Sequence, residues 1–192
     1  MNKKLMVENN FAKAIEFAYN AHNGTYRKGT TTPYIVHPVE AMQIATTLTD
    51  DEEVIIASLL HDVVEDTNFT KEDIEKLFGK RVANLVSSDT EDKMEHLPSS
   101  STWEIRKRAT LDFLDGASKE EQIICLSDKL SNMRAIYRDY KVLGDTLWER
   151  FNQKDKNKHA WYYGEIAKKL KFLSSTPALE EYDELINKVF YE

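Results

Sequence analysis

The chain of 192 residues carries 26 Lys and Arg against 33 Asp and Glu, a formal net charge of −7. That balance argues against a general nucleic-acid binder, which needs a basic surface to release counterions, but it leaves room for a small anionic ligand. No apolar run approaches the roughly 20 residues of a membrane span, residues 1–10 hold no apolar signal core, and a lone cysteine excludes an internal disulfide. The expectation is therefore a cytoplasmic protein, without nucleic-acid or membrane partners, in which Cys125 is a buried thiol amid Ile123, Ile124 and Leu126. With 41% hydrophobic and 31% charged residues, and only 6 Gly and 4 Pro, the composition fits one helical domain.

In chain order, Phe11, Ala14, Ile15 and Ala18 repeat at helical spacing over 9–20, and Asn23-Gly24 ends the pattern. A loop at 29–32 precedes Pro33. Pro38 suits a first helical turn, followed by a face of Ala41, Ile44, Ala45 and Leu48. Asp50 or Asp51 caps a largely apolar helix that runs through Leu59 and Leu60 toward Val64. Thr70 and Asp73 form a variant capping box, Gly79 closes that helix, and Val82, Leu85 and Val86 mark the next. Residues 87–102 read as a Ser-rich polar loop and 103–114 as helix. Ser118 and Glu121 box the start of a long helix through Tyr140, with Gly144 as its stop. Helices over 158–173 and 178–190 complete the pattern. No period-2 strand is evident, so the fold class is all-α. There is no internal repeat and no dividing linker.

The chemistry is concentrated in His61-Asp62-Val63-Val64-Glu65-Asp66, at the end of the apolar helix. Helical spacing sets His61 beneath Glu65 and Asp62 beneath Asp66. Ionisable groups half-buried there cost several kcal/mol without partners, and a metal partners several at once. A bare His-Asp pair is common and is often a helix-end contact. His37, before Pro38, is by itself an ordinary helix-entrance residue. Asp128 sits within the apolar run 123–130 and needs a partner, either Lys129 or Arg134 in an ion pair or a metal. His37, His61, Asp62 and Asp128 together give two imidazoles and two carboxylates, a set suited to Mn²⁺, Fe²⁺ or Zn²⁺. His22, His96 and His159 lack such company and read as structural or exposed.

The order His … His-Asp … Asp resembles the signature of HD-domain phosphohydrolases. The surrounding segments Arg27-Lys28, Pro33-Tyr34-Ile35-Val36-His37-Pro38, 59–67, Phe78-Gly79 and 126–134 resemble the hydrolase domain of RelA/SpoT proteins. The segment from Ser88 to Lys93, with Trp103 and Arg106-Lys107, resembles the small stand-alone alarmone hydrolases, a group that includes the metazoan SpoT homologue. The likeness runs from about Phe11 to Leu173. Ser127 and Ser131 depart from it, standing where longer members often carry Ala and His.

The resemblance implies a single HD-type domain over 1–192, with a helical-bundle core at about 8–173 and a helical extension at about 178–190. It implies His37, His61, Asp62 and Asp128 as ligands of Mn²⁺ or another divalent metal, and Glu65 and Asp66 as the groups that orient or deprotonate water. The other reading of Glu65 and Asp66 is that they neutralise Arg27 and Lys28. Arg27, Lys28, Lys93, Arg106, Lys107, Lys129, Asn132 and Tyr162 are the expected substrate contacts, Arg and Lys serving the phosphates. Tyr162 has core packing as its plainer alternative. The expected reaction converts ppGpp or pppGpp to GDP or GTP plus pyrophosphate, with no synthetase activity. Two alternatives stay open: a related hydrolase of pppApp or NADPH, and a non-catalytic nucleotide-binding or antitoxin-type protein. Oligomeric state is not legible.

Overall fold

A computed structural model describes residues 10–91, 94 and 97–192. Its helices are α1 (Asn10–Ala21), α2 (Val36–Ala45), α3 (Glu52–Leu60), α4 (Val63–Asp66), α5 (Lys71–Phe78), α6 (Lys80–Asp89), α7 (Ser99–Leu114), α8 (Lys119–Leu143), α9 (Lys156–Lys169) and α10 (Pro177–Phe190). Short 3-10 segments cover Gly144–Arg150 and Lys171–Leu173. The only extended pairing among the described residues is a single bridge between Tyr26 and Pro33. The all-α expectation holds. No helix among the described residues is long and apolar enough to cross a membrane.

The boundaries follow local chemistry. Asp51 caps α3 by accepting from Glu53 N. Both expected capping boxes form, Thr70 with Asp73 and Ser118 with Glu121. Gly144 stops α8 at φ 55°, a left-handed geometry that suits glycine.

Two expectations need correction. Residues 87–102 are not all loop: α6 continues to Asp89 and α7 begins at Ser99, so polar composition concealed two helix ends. The helix carrying the His-Asp pair is not continuous either. α3 ends at Leu60, His61 and Asp62 form a turn, and α4 adds one further turn. Asp62 lies at φ −87°, ψ −7°, the bridge region favoured at turns and in many functional sites. The break re-aims the pair while Asp66 N still donates to Asp62 O at 2.8 Å.

α8 is the axis of the molecule, packed by α2, α3, α6 and α10. Ile123, Ile124, Leu126, Leu130 and Met133 are almost wholly buried, each contributing about 1.5–3 kcal/mol of hydrophobic stabilisation. Leu126→Ala would cost about 2–5 kcal/mol. Cys125 is buried in the same helix, as expected, and burial pushes its thiol well above the ordinary range. This packing gives Asp128 a rigid place opposite α2 and α3.

Candidate metal and phosphate site

Three elements converge at one point: α2 with His37, the α3–α4 turn with His61 and Asp62, and α8 with Asp128. His37 Nε2 lies 3.2 Å from His61 Nε2, 3.3 Å from Asp62 Oδ2 and 3.2 Å from Asp128 Oδ1. His61 Nε2 lies 3.0 Å from Asp62 Oδ2 and 3.7 Å from Asp128 Oδ1. His37, His61 and Asp128 are buried and satisfy the geometry of a metal-holding group by themselves. Asp62, a little more exposed, adds a second carboxylate to the same focus.

The other ring nitrogens show which way the donors face. His61 Nδ1 donates to the Ser58 carbonyl at 2.8 Å, which leaves the lone pair of the neutral ring on Nε2. His37 Nδ1 lies 2.8 Å from Ser131 Oγ, whose hydroxyl donates to Glu40 Oε2 at 2.8 Å. The Ser131 oxygen therefore accepts from His37, and again Nε2 faces the focus. Two lone pairs and two carboxylates at such distances repel one another unless a positive charge joins them. Burial disfavours charge on His61, yet Asp62 and Asp128 outweigh it and raise the imidazole well above its ordinary value. Burial likewise works against the Asp62 carboxylate, and the two imidazoles overcome it. The donor set and its demand for positive charge fit a divalent cation.

Around this focus lies a cleft of about 180 Å³ lined almost wholly by charged and polar side chains. Arg27, Asp62, Glu65, Asp66, Arg106, Lys107, Asp128, Lys129 and Asn132 all face it, with His37. Lys129 is ion-paired to Asp128 Oδ2, and Asn132 Nδ2 donates to Asp128 Oδ1 at 2.5 Å. Arg27 Nη2 donates to Asn132 Oδ1 at 2.6 Å, so one chain of contacts links the loop cation to the buried carboxylate. Of the two expected ion-pair partners of Asp128, Lys129 is the one present. Arg134 instead pairs with Glu181 and Glu40.

Glu65 lies on α4 beside the focus and accepts from Glu91 N at 3.1 Å. Burial first, then the neighbouring Asp62, push its carboxyl up to about 7, a range suited to proton exchange near neutrality. The contacts of Arg27 and Lys28 run to Asn132, to the Tyr34 ring and to Asn152.

Two expected contacts sit differently. Lys28 faces an adjoining cleft, shared with Arg27, Tyr34 and Asn132, where it bonds Asn152 Oδ1 at 3.1 Å. Tyr162 is 3% exposed and lines neither cleft. Its ring lies under Lys107 Nζ at 4.8 Å and beside Trp103, and its hydroxyl has no hydrogen-bond partner among the described residues. Tyr162 is thus core here, because an amphipathic helix turns that position inward. Lys93 lies outside the described residues.

Several contributors escaped the sequence reading. Tyr34 OH is 2.6 Å from Asp62 Oδ2 and 2.9 Å from Asp66 Oδ2; burial and those carboxylates keep the phenol protonated by raising its pKa. Tyr34 stood beside His37 in the motif, but nothing local marked its hydroxyl. Ser131, noted as a departure from the long members, orients His37. Glu91 pairs with Arg106 and Lys107 at 2.9 and 2.6 Å. His22 is buried with its ring 4.9 Å from that of Tyr34, and His159 is buried against Trp148.

Comparison with known proteins agrees with this geometry. The guanosine-3′,5′-bis(diphosphate) 3′-pyrophosphohydrolase MESH1 of Drosophila melanogaster is 37% identical over 141 residues, 72% of this chain and 73% of that protein. A guanosine-3′,5′-bis(diphosphate) 3′-pyrophosphohydrolase of Aquifex aeolicus is 35% identical over 127 residues, but this chain spans only 17% of its length. A solved structure of a metazoan ortholog of SpoT, described as hydrolysing ppGpp and playing a role in starvation responses, superposes with a TM-score of 0.77 at 28% identity. That alignment covers 93% of this chain and 94% of the other. The family model for the HD domain matches residues 14–142, a span that takes in all four converging donors, and the chain accordingly belongs to the HD-domain family, as a phosphohydrolase related to the ppGpp hydrolases.

Proposed function

We propose that this protein removes the 3′-pyrophosphate from guanosine alarmones, converting ppGpp or pppGpp and water to GDP or GTP and pyrophosphate, and that residues 1–192 act as a single HD-type domain. The observation that carries the reading is the joining of two features in one cleft: a buried His37, His61, Asp62 and Asp128 cluster, and Arg27, Arg106, Lys107 and Lys129 around it. A plain carboxylate-rich metal site would not need that many cations. A substrate with a diphosphate at each end does.

His37, His61, Asp62 and Asp128 would hold the metal, with Mn²⁺ our choice among divalent ions. When bound, such an ion polarises a phosphoryl oxygen and makes water a better nucleophile. Glu65, with Asp66 one residue on, takes the proton of the attacking water and returns it. Tyr34 stays protonated and keeps Asp62 and Asp66 in place. Arg27, Arg106 and Lys107 bind the phosphates, and Asn132, tied to both Arg27 and Asp128, passes the position of the ligand cluster to the nucleotide. The bond broken joins the ribose 3′ oxygen to phosphorus, and the proton taken from water is returned to the departing 3′ oxygen.

The test is a substrate panel with Mn²⁺: ppGpp, pppGpp, pppApp and NADPH, with products identified by mass. Pyrophosphate and GDP from ppGpp, at a kcat/KM above that for the adenosine compounds, support the assignment. Turnover confined to pppApp or NADPH would move the substrate while keeping the chemistry. Binding of ppGpp without any product would point to the non-catalytic alternative.

A further inference from the structure

The cations that line the phosphate cleft are already engaged by a carboxylate of the protein itself. Glu91 follows α6 in non-helical backbone. Its Oε2 accepts from Arg106 Nη1 at 2.9 Å, and its Oε1 accepts from Lys107 Nζ at 2.6 Å, with Thr110 Oγ1 at 3.3 Å. The three charged side chains are only 11–17% exposed. Two donors converging on two oxygens of one anion is also how protein cations grip a phosphoryl group.

Neither cation is saturated by Glu91. Arg106 Nε is buried and has no hydrogen-bond partner among the described residues. Lys107 carries three N–H donors, and burial lowers the stability of its charge despite Glu91. One carboxylate brings a single negative charge, whereas pyrophosphate brings several. Glu91 is also held by no helical ladder, so its side chain can leave the pair with little rearrangement of the fold. Its backbone N–H, in turn, donates to Glu65 Oε2 at 3.1 Å, which places the contact between the cation wall and the proton-accepting carboxylate at this one residue.

We infer that Glu91 is an internal anion that holds Arg106 and Lys107 together in the substrate-free protein and yields them to an incoming phosphoryl group. The inference rests on the reading of the cleft as a phosphate site, but not on which nucleotide it takes. Glu91 therefore competes with substrate, and its charge weakens binding. A residue that merely positions the two cations would do the opposite.

The test uses inorganic pyrophosphate, titrated calorimetrically into the wild-type protein and Glu91→Gln at one fixed free Mn²⁺ concentration. Glu91→Gln is expected to bind pyrophosphate about tenfold or more tightly, the worth of one charge-assisted contact, and to lower KM for the nucleotide substrate. Thermal melts accompany it: the variant, with two part-buried cations unpaired, melts below wild type alone and recovers in pyrophosphate. Should Glu91→Gln fail to fold, Glu91→Asp, which keeps the charge but shortens its reach, must still bind pyrophosphate more tightly than wild type. Equal or weaker binding by the folded variant overturns the inference, as does failure of pyrophosphate to bind either protein. Tighter pyrophosphate binding with no hydrolysis of ppGpp would leave the inference standing while removing the alarmone assignment.

Discussion

The metal-donor cluster and the cation wall face each other across one cleft, yet they are built in opposite ways. The donors come from α2, α8 and the α3–α4 turn, are mostly buried, and have their far ring nitrogens pinned by Ser131 and Ser58. Their near atoms repel, so this side is organised around a positive charge. The cations come from α7, α8 and a loop: Arg106 and Lys107 are paired with Glu91, Lys129 with Asp128, and Arg27 is hydrogen-bonded to Asn132. A site that must keep one ion resident is preorganised and unsatisfied. The proposed anion side is instead largely paired in its resting state, with Arg106 Nε left without a hydrogen-bond partner among the described residues.

Substitutions on the two sides should separate these roles. The largest effect belongs to the donors: Asp128→Ala is expected to lower Mn²⁺ affinity by more than the about 10–100-fold typical of outer-shell partners, and to reduce hydrolysis to the level seen in chelator. Calorimetry and pyrophosphate release read the two together; normal Mn²⁺ binding by the variant would remove Asp128 from the ligand set. Glu65→Gln comes next, with kcat lowered about 10²–10⁴-fold and Mn²⁺ affinity little changed. A parallel loss of metal would make Glu65 a ligand instead.

Ser131→Ala tests the pinning. It removes the acceptor of His37 Nδ1 and should weaken Mn²⁺ about 10–100-fold while the fold, judged by circular dichroism, is kept. Unchanged affinity would mean that packing alone aims His37.

A smaller effect concerns Glu65 in the metal-free protein. Its carboxyl is raised from 4.5 to about 7 on folding, so the folded state binds the proton more tightly than the unfolded chain. The associated stability is fully present below pH 4.5 and is lost as pH rises through 7. Glu65→Gln, neutral throughout, should therefore gain on wild type by about 1–3 kcal/mol between pH 4 and pH 8 in chelator, measured by urea unfolding. A difference that does not change with pH would show that the carboxyl is not raised. Tyr162→Phe should do least: deleting a buried hydroxyl without a partner changes stability by less than about 1 kcal/mol and leaves KM alone. A several-fold rise in KM would return Tyr162 to the substrate.

What could be read from the sequence follows the same division. Helical periodicity and two capping boxes revealed most elements, because those signals are local. His37, His61, Asp62 and Asp128 were legible as a set because charged residues inside apolar runs demand a partner and match a family pattern. The turn at His61-Asp62 was not, since nothing in an apolar helix announces where a buried ligand pair must break it. Glu91 lay in a polar stretch like any surface acid, and its role depends on α7 folding back across it. Tyr162 shows the reverse: an aromatic residue suited to a base that the helix face sends into the core.

The most direct test of the account is to strip the protein with chelator and restore Mn²⁺ stepwise, following bound metal and pyrophosphate release from ppGpp in the same samples. Activity that is absent without metal, rises in proportion to occupancy and reaches its full value at one tightly bound ion per chain is the predicted result. Release of pyrophosphate from the stripped protein, or a protein that binds the ion and leaves ppGpp intact, would contradict it.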